Sequence, residues 1–271
     1  MRESMQSRPG RLCAVIMLVG AMLGCSVPAR AAETGGLSVL RKFPAAVTVV
    51  GVGSVNGDPL TVVATRGAGL YATTAGAAIF RKLSPALDVM QISSIAVLGR
   101  DEWLVGTDGD GLWKTTNAGS SFTFVKTLDC SRIARIVPDP AGSGRIFVAS
   151  LCTGLHYSTD GGLTWSGAGN GIQSKQVTDV VRLDASRIVA GTTTDGSSSA
   201  SGVYFSTDNG KSYARMTSPI PQVDALAWNG RSGTLFIAGG GKVVATADMG
   251  AHWKALTGVG ALSGLGVSPS G

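Results

Sequence analysis

Ser158-Thr159-Asp160-Gly161-Gly162-Leu163-Thr164-Trp165 is the stretch that decides how this chain of 271 residues reads. A hydroxyl, a carboxylate two places on, two glycines, a second hydroxyl and an aromatic side chain together describe a tight turn between antiparallel strands. The carboxylate is expected to accept backbone N–H bonds inside the turn, and the glycines to take φ > 0 without steric cost. Trp165 is expected to pack back between neighbouring sheets.

The stretch recurs. GLHYSTDGGLTW (154–165) aligns with GLWKTTNAGSSF (111–122) and GVYFSTDNGKSY (202–213), and more loosely with KVVATADMGAHW (242–253) and GLYATTAGAAIF (69–80). The opening hydroxyl falls at Thr73, Thr115, Ser158, Ser206 and Thr246, in steps of 42, 43, 48 and 40 residues. The carboxylate position reads Ala75, Asn117, Asp160, Asp208 and Asp248. Ser158, Asp160, Gly162, Thr164 and Trp165 are therefore expected to be structural. The same role falls to Thr115, Asn117 and Gly119, to Ser206, Asp208 and Gly210, and to Thr246, Asp248, Gly250 and Trp253. A period near 40 residues built from short β runs marks the blades of a β-propeller, and the 3.6-residue periodicity of a helical solenoid is absent.

The fold class predicted is thus all-β, a propeller of four-stranded antiparallel blades. Five complete blades are expected at about 47–83, 92–127, 132–168, 176–216 and 222–256, each running from an innermost strand A to an outermost strand D. The third, for example, comprises RIARIV (132–137), RIFVAS (145–150), LHYST (155–159) and LTWSGA (163–168). The B strands are nearly continuous apolar runs, which suits sheets buried on both faces. Partial strands are expected at 37–42, which aligns with the D strand of the first blade, and at 262–267, which reads as another A strand. On that reading the sequence stops early relative to a closed ring of six or seven blades. The other reading is a five-bladed ring with loosely attached terminal strands.

Arg2, Arg8 and Arg11 precede the apolar run Leu12 to Leu23, and Ala29-Arg30-Ala31 offers a cleavage site, so residues 1–31 read as an export signal. Residues 32–36 read as a leader before the propeller at 37–271. A competing reading takes Met22-Leu23-Gly24-Cys25 as a lipobox, which would place a lipid anchor on Cys25. Either route leads to a periplasmic or extracellular protein. Half of the formal charge of +6 sits in the signal, where four arginines face one glutamate. The remainder carries 19 Lys+Arg against 16 Asp+Glu without basic runs, which argues against nucleic acid as a partner.

The mature domain keeps two cysteines. Alternating strand directions put the A-to-B and C-to-D turns on one face and the B-to-C and D-to-A connections on the other. Cys130 falls in a D-to-A connection and Cys152 in the next B-to-C turn, so a disulfide is predicted, with two separate buried thiols as the alternative. The same face carries Asp108, Asp110, Asp129 and Asp195, a candidate ligand surface; solvated turn aspartates are the plain alternative.

The repeated stretch matches S-x-D-x-G-x-T-W without a gap and resembles the Asp-box, or BNR repeat, of sialidases and many other propellers. A sialidase would need three arginines around a substrate carboxylate, a Tyr nucleophile with a Glu partner and an Asp acid/base. Arg135-Ile136-Val137-Pro138 only loosely echoes that family's Arg-Ile-Pro motif, and outside the signal the glutamates are Glu33 and Glu102. Tyr71, Tyr157, Tyr204 and Tyr213 occupy repeat positions, as do His156 and His252, and all read as structural. The tandem arrangement also resembles the propellers of xyloglucan-cleaving glycosidases, which are much longer. Residues 69–256 further resemble exported, sometimes lipid-anchored, non-enzymatic propellers, including the photosystem II assembly-factor-like group, although the H-G-W-x-V-G signature of that group is missing. The resemblance implies a non-catalytic scaffold with a protein or glycan partner, and the alternative is a carbohydrate-active propeller, either hydrolase or lectin. No catalytic residue, cofactor or metal site is expected.

Overall fold

The structure, a computed structural model, describes residues 45, 47–55, 58–74, 80–139, 144–194, 200–257 and 265. Among them, strands form five four-stranded antiparallel sheets, each made of consecutive strands in chain order. The first sheet holds β1 (Val47–Val55), β2 (Asp58–Thr65), β3 (Gly69–Thr74) and β4 (Arg81–Lys82). The second holds β5 (Ile92–Val97), β6 (Trp103–Thr107), β7 (Leu112–Thr115) and β8 (Thr123–Phe124). The third holds β9 (Ile133–Pro138), β10 (Ile146–Ser150), β11 (Gly154–Ser158) and β12 (Ser166–Gly167). The fourth holds β13 (Val177–Arg182), β14 (Ile188–Thr192), β15 (Gly202–Ser206) and β16 (Ala214–Met216). The fifth holds β17 (Ala225–Asn229), β18 (Thr234–Gly239), β19 (Lys242–Thr246) and β20 (Lys254–Leu256). These are propeller blades. The signal with Cys25, the leader, the 37–42 strand and all of 262–267 except Leu265 lie outside the described residues.

The core lies between sheets. Strands β6, β10 and β14 are buried at every position, and their alternate side chains serve opposite neighbours. Trp103 and Val105 pack towards Leu60, Val62 and Leu70 of the first sheet, whereas Leu104 packs with Ile133, Ile146 and Val148 of the third. Phe147 and Ala149 then meet Val177, Val180 and Tyr204, and Val189 and Val203 meet Val223, Leu226 and Ile237. Each such side chain, fully buried, contributes about 1.5–3 kcal/mol.

Inner strands line up as β1, β5, β9, β13 and β17, each beside the next; among the described residues no comparable strand contact joins β17 to β1. The ladder between A and B strands slips at the start of the inner strand in four sheets, leaving Thr48, Ser93, Ala134 and Thr178 unpaired as bulges. Two of these bulges reach the next blade. Ser93 Oγ donates to Ile133 O, and Thr178 Oγ1 donates to Val223 O (2.7 Å). The residue after the bulge adds a second link, since Ser94 Oγ accepts from Ile136 N (3.0 Å) and Asp179 Oδ2 from Leu226 N (2.8 Å).

Outer strands are shorter than the sequence suggests. The outer run expected at 163–168 pairs only over Ser166–Gly167, and the blades expected to end at about 127, 216 and 256 have outer strands of only Thr123–Phe124, Ala214–Met216 and Lys254–Leu256. In the third, fourth and fifth sheets the first residues of the run turn N–H groups into the preceding turn rather than along a ladder. A short 3-10 turn at Pro85–Leu87, capped by Ser84, was not anticipated from the repeat; the Ser-Pro pair is its local signal.

Candidate functional site

The C-to-D turns share one hydrogen-bond pattern. Ser158 Oγ donates to Asp160 Oδ1 (2.7 Å) and accepts from Gly162 N (2.8 Å). Asp160 Oδ1 accepts from Leu163 N (3.0 Å) and Thr164 N (2.9 Å), and Oδ2 accepts from Thr164 Oγ1 (2.5 Å). Ser206, Asp208, Gly210, Lys211 and Ser212 repeat this set. In the fifth sheet Thr246 and Asp248 do the same, and His252 Nδ1 lies 2.6 Å from Asp248 Oδ2 where the other turns use a hydroxyl. Asn117 substitutes in the second sheet: its Oδ1 accepts from Thr115 Oγ1 (2.9 Å) and Ser121 N (2.9 Å), and Gly119 N donates to Thr115 Oγ1. The corresponding position Ala75 lies outside the described residues.

These carboxylates are committed to their own turns. Bonds from Thr164 chiefly hold the Asp160 carboxyl well below the usual range, as those from Ser212 do for Asp208 and those from His252 for Asp248. Depressed folded-state values mean that this stabilisation is complete above the ordinary Asp pKa of about 3.9 and fades as pH falls below it. Acid titration of unfolding, followed by circular dichroism, is expected to show a loss below about pH 4 that is smaller in Asp208→Asn than in the wild type.

Each turn also rests on the preceding blade. Gly210 has φ +77°, and a Cβ there would sit 2.9 Å from Phe147 of the third sheet. Gly162 abuts Leu104 of the second. Lys114 Nζ, paired with Glu102 (2.6 Å), donates to Gly161 O (2.7 Å), and Thr127 Oγ1 donates to Leu163 O (2.8 Å). Ser84 N donates to Gly119 O, Tyr213 N to Asn170 O and Trp253 Nε1 to Thr217 O. The turn aromatics Phe122, Trp165, Tyr213 and Trp253 all join the core between their own sheet and the one before it. Ser158 is buried, so Ser158→Ala strands the N–H of Gly162 and is expected to lower stability by about 1–3 kcal/mol, with an unchanged m-value in urea. Ser158→Thr is expected to be near neutral, as Thr115 and Thr246 fill the same place.

On the other face, B-to-C and D-to-A connections are tied together. Asp108 N donates to Gln91 O, and Gly109 and Gly111 N–H both donate to Ser131 O. Asp108 Oδ1 accepts from Arg132 Nε (2.7 Å) in an exposed ion pair. Cys130 and Cys152 are disulfide-bonded, with Cα atoms 5.7 Å apart and a separation of 22 residues. Asp110 and Asp129 are exposed, and Asp195 lies outside the described residues. His156 shares a hydrogen bond with Thr153 Oγ1 (2.8 Å), and burial pushes its pKa down. Tyr71, Tyr204 and Tyr213 are buried. Among the described residues no three His, Cys, Asp or Glu side chains converge as metal ligands do.

A buried carboxylate in an inner strand escaped the sequence reading. Asp179 is almost wholly buried in β13, where Oδ1 accepts from Val180 N (2.8 Å), Oδ2 accepts from Leu226 N, and the Arg135 guanidinium lies 3.6 Å away. Burial raises its pKa, opposed by Arg135 and the two N–H groups. A lone carboxylate inside the apolar run QVTDVVRL (176–183) was the available signal.

Sheets, turns and inner-strand links together define a β-propeller. Similarity to solved structures agrees. An ancestral GH74 enzyme is matched with TM-score 0.63 and 21% identity over 78% of this chain and 31% of that one. The GH74 xyloglucanase from Xanthomonas campestris gives TM-score 0.57 and 16% identity, over 78% of this chain and 38% of that one. An extracellular domain ascribed to a hybrid two component system of B. thetaiotaomicron gives 0.61 and 12%, over 84% and 31%. The chain spans about a third of the length of these structures. No family model matches the chain, and no curated protein does.

Proposed function

We propose that this chain is an exported, non-catalytic propeller that binds a protein partner on the face bearing Asp108, Asp110, Asp129 and Asp195, and that its C-to-D turns are structural Asp-boxes. The observation that carries the reading is the division of labour between the two faces. Carboxylates of the C-to-D turns are saturated by their own turns, whereas the opposite loops are pinned by Cys130–Cys152 and by the carbonyl of Ser131 while Asp110 and Asp129 stay exposed. Rigid loops on a rigid scaffold present side chains at low entropic cost. Export rests on the signal-like residues 1–31, with a lipid anchor on Cys25 as the variant form, and no cofactor or metal enters.

Cross-linking in the exported fraction, followed by capture with wild type and with an Asp110→Ala/Asp129→Ala double variant, tests the reading. A protein captured by the wild type and lost from the double variant is the expected result. Hydrolysis of chromogenic glycosides, or specific glycan-array binding without a protein partner, would replace it with the carbohydrate-active reading.

A further inference from the structure

At the rim of the fourth blade, where the chain leaves the edge strand β16, a cleft of about 290 Å³ opens between Arg215, Met216, Thr217, Ser218, Ile220 and Pro221. From this cleft we infer a second site, which goes beyond the reading above: a pocket for a small carboxylate carrying a compact apolar body. Its charge is one-sided. Among the described residues that line the cleft Arg215 is the ionisable one, and none is acidic. Its guanidinium is held in place on one side, with Nη2 donating to Ser201 O (2.7 Å). Among the described residues its Nε and Nη1 have no acceptor.

Gly202 makes this placement possible. Its φ is +145°, and a Cβ there would stand 3.3 Å from Arg215 Nε, so the bare backbone lets the guanidinium lie close against β15. The chain opposite is fixed as well: Trp253 Nε1 from the fifth blade donates to Thr217 O (3.0 Å), and Ser218 Oγ accepts from Ile220 N (3.1 Å). Ile220 is buried and supplies an apolar floor beside Met216 and Pro221. With one Nη2 N–H given to Ser201 O, the second Nη2 N–H still forms a planar fork with that of Nε or of Nη1, which matches a carboxylate, whereas a phosphate dianion would leave charge uncompensated beside this one cation. The volume, close to the lower end of ligand pockets, limits the apolar part to roughly a leucine-sized group.

Isothermal titration with N-acetyl-leucine, its amide N-acetyl-leucinamide, and the tripeptide Gly-Gly-Leu with a free or amidated C-terminus tests the site. The free acids are expected to bind about tenfold or more tightly than their amides. Tighter binding of N-acetyl-leucine would assign the site to free small acids, and tighter binding of Gly-Gly-Leu to peptide C-termini; both support it. Arg215→Gln is expected to abolish the preference for the acid. Because that change also removes a partner from Ser201 O, Thr217→Phe serves as a second variant that fills the cleft with Arg215 intact, and it is expected to lose binding as well. Equal binding of acids and amides, unchanged binding in either variant, or no binding of any probe overturns the inference. None of these outcomes bears on capture of a protein through Asp110 and Asp129.

Discussion

Asp179→Ala is expected to lower the free energy of unfolding by about 2–5 kcal/mol, as read from urea denaturation. The carboxylate is almost wholly buried and holds two N–H groups, one on its own strand and one on β17 of the next blade. Removing it orphans both donors at about 1–3 kcal/mol each. Arg135, whose side chain is half exposed, returns to water and adds little. The charge itself works against the wild type, because burial outweighs Arg135 and raises the Asp179 pKa. With a folded-state value above the unfolded one, the carboxyl's contribution is greatest below the ordinary Asp pKa and declines as pH rises through the folded value. The deficit of the alanine variant should therefore narrow as pH rises through the acidic range. A deficit under about 1 kcal/mol would show that water replaces the lost acceptor.

Opening the Cys130–Cys152 bond is the second large perturbation. It closes a separation of 22 residues, and the loop-entropy relation gives about 3 kcal/mol for a ring of that size. Cys152→Ser is expected to show that loss, and a reductant should lower the wild type to the same level without affecting the variant. Peptide mapping without reductant is expected to recover Cys130 and Cys152 in one linked pair. Recovery of two alkylatable thiols from folded, unreduced protein would refute the link.

The blades were legible because their signals are local. Hydroxyl, carboxylate and glycine at fixed offsets specify a turn, and β-branched runs between them specify strands, so the A, B and C strands of the third blade fell within a residue or so of their expected places. Outer strands were overestimated for the same reason. Residues such as Leu163 and Lys211 carry no mark that their N–H groups serve Asp160 and Asp208 instead of a neighbouring strand. Asp179 was missed because its partner Leu226 is 47 residues away, and a search for turn-borne chemistry passes over a carboxylate inside a strand. The Cys130–Cys152 pairing was accessible from topology alone, since alternating strand directions place both on one face. Ligand identity was not, because exposed side chains such as Asp110 and Arg215 answer to no packing rule.

The dependence of every described C-to-D turn on the blade before it gives the molecule a direction. A ribosome delivers the blades in the order in which each finds its support already made: Leu104 and Lys114 exist before Gly161 and Gly162 need them, and Phe147 before Gly210. Fragments are consequently unequal. A piece cut after the third blade keeps the supports of the second and third turns, whereas a piece beginning at the third blade opens with a turn that has lost Leu104, Lys114 and Thr127 at once. Growth from the amino end adds a unit to a finished edge, and growth from the carboxyl end does not.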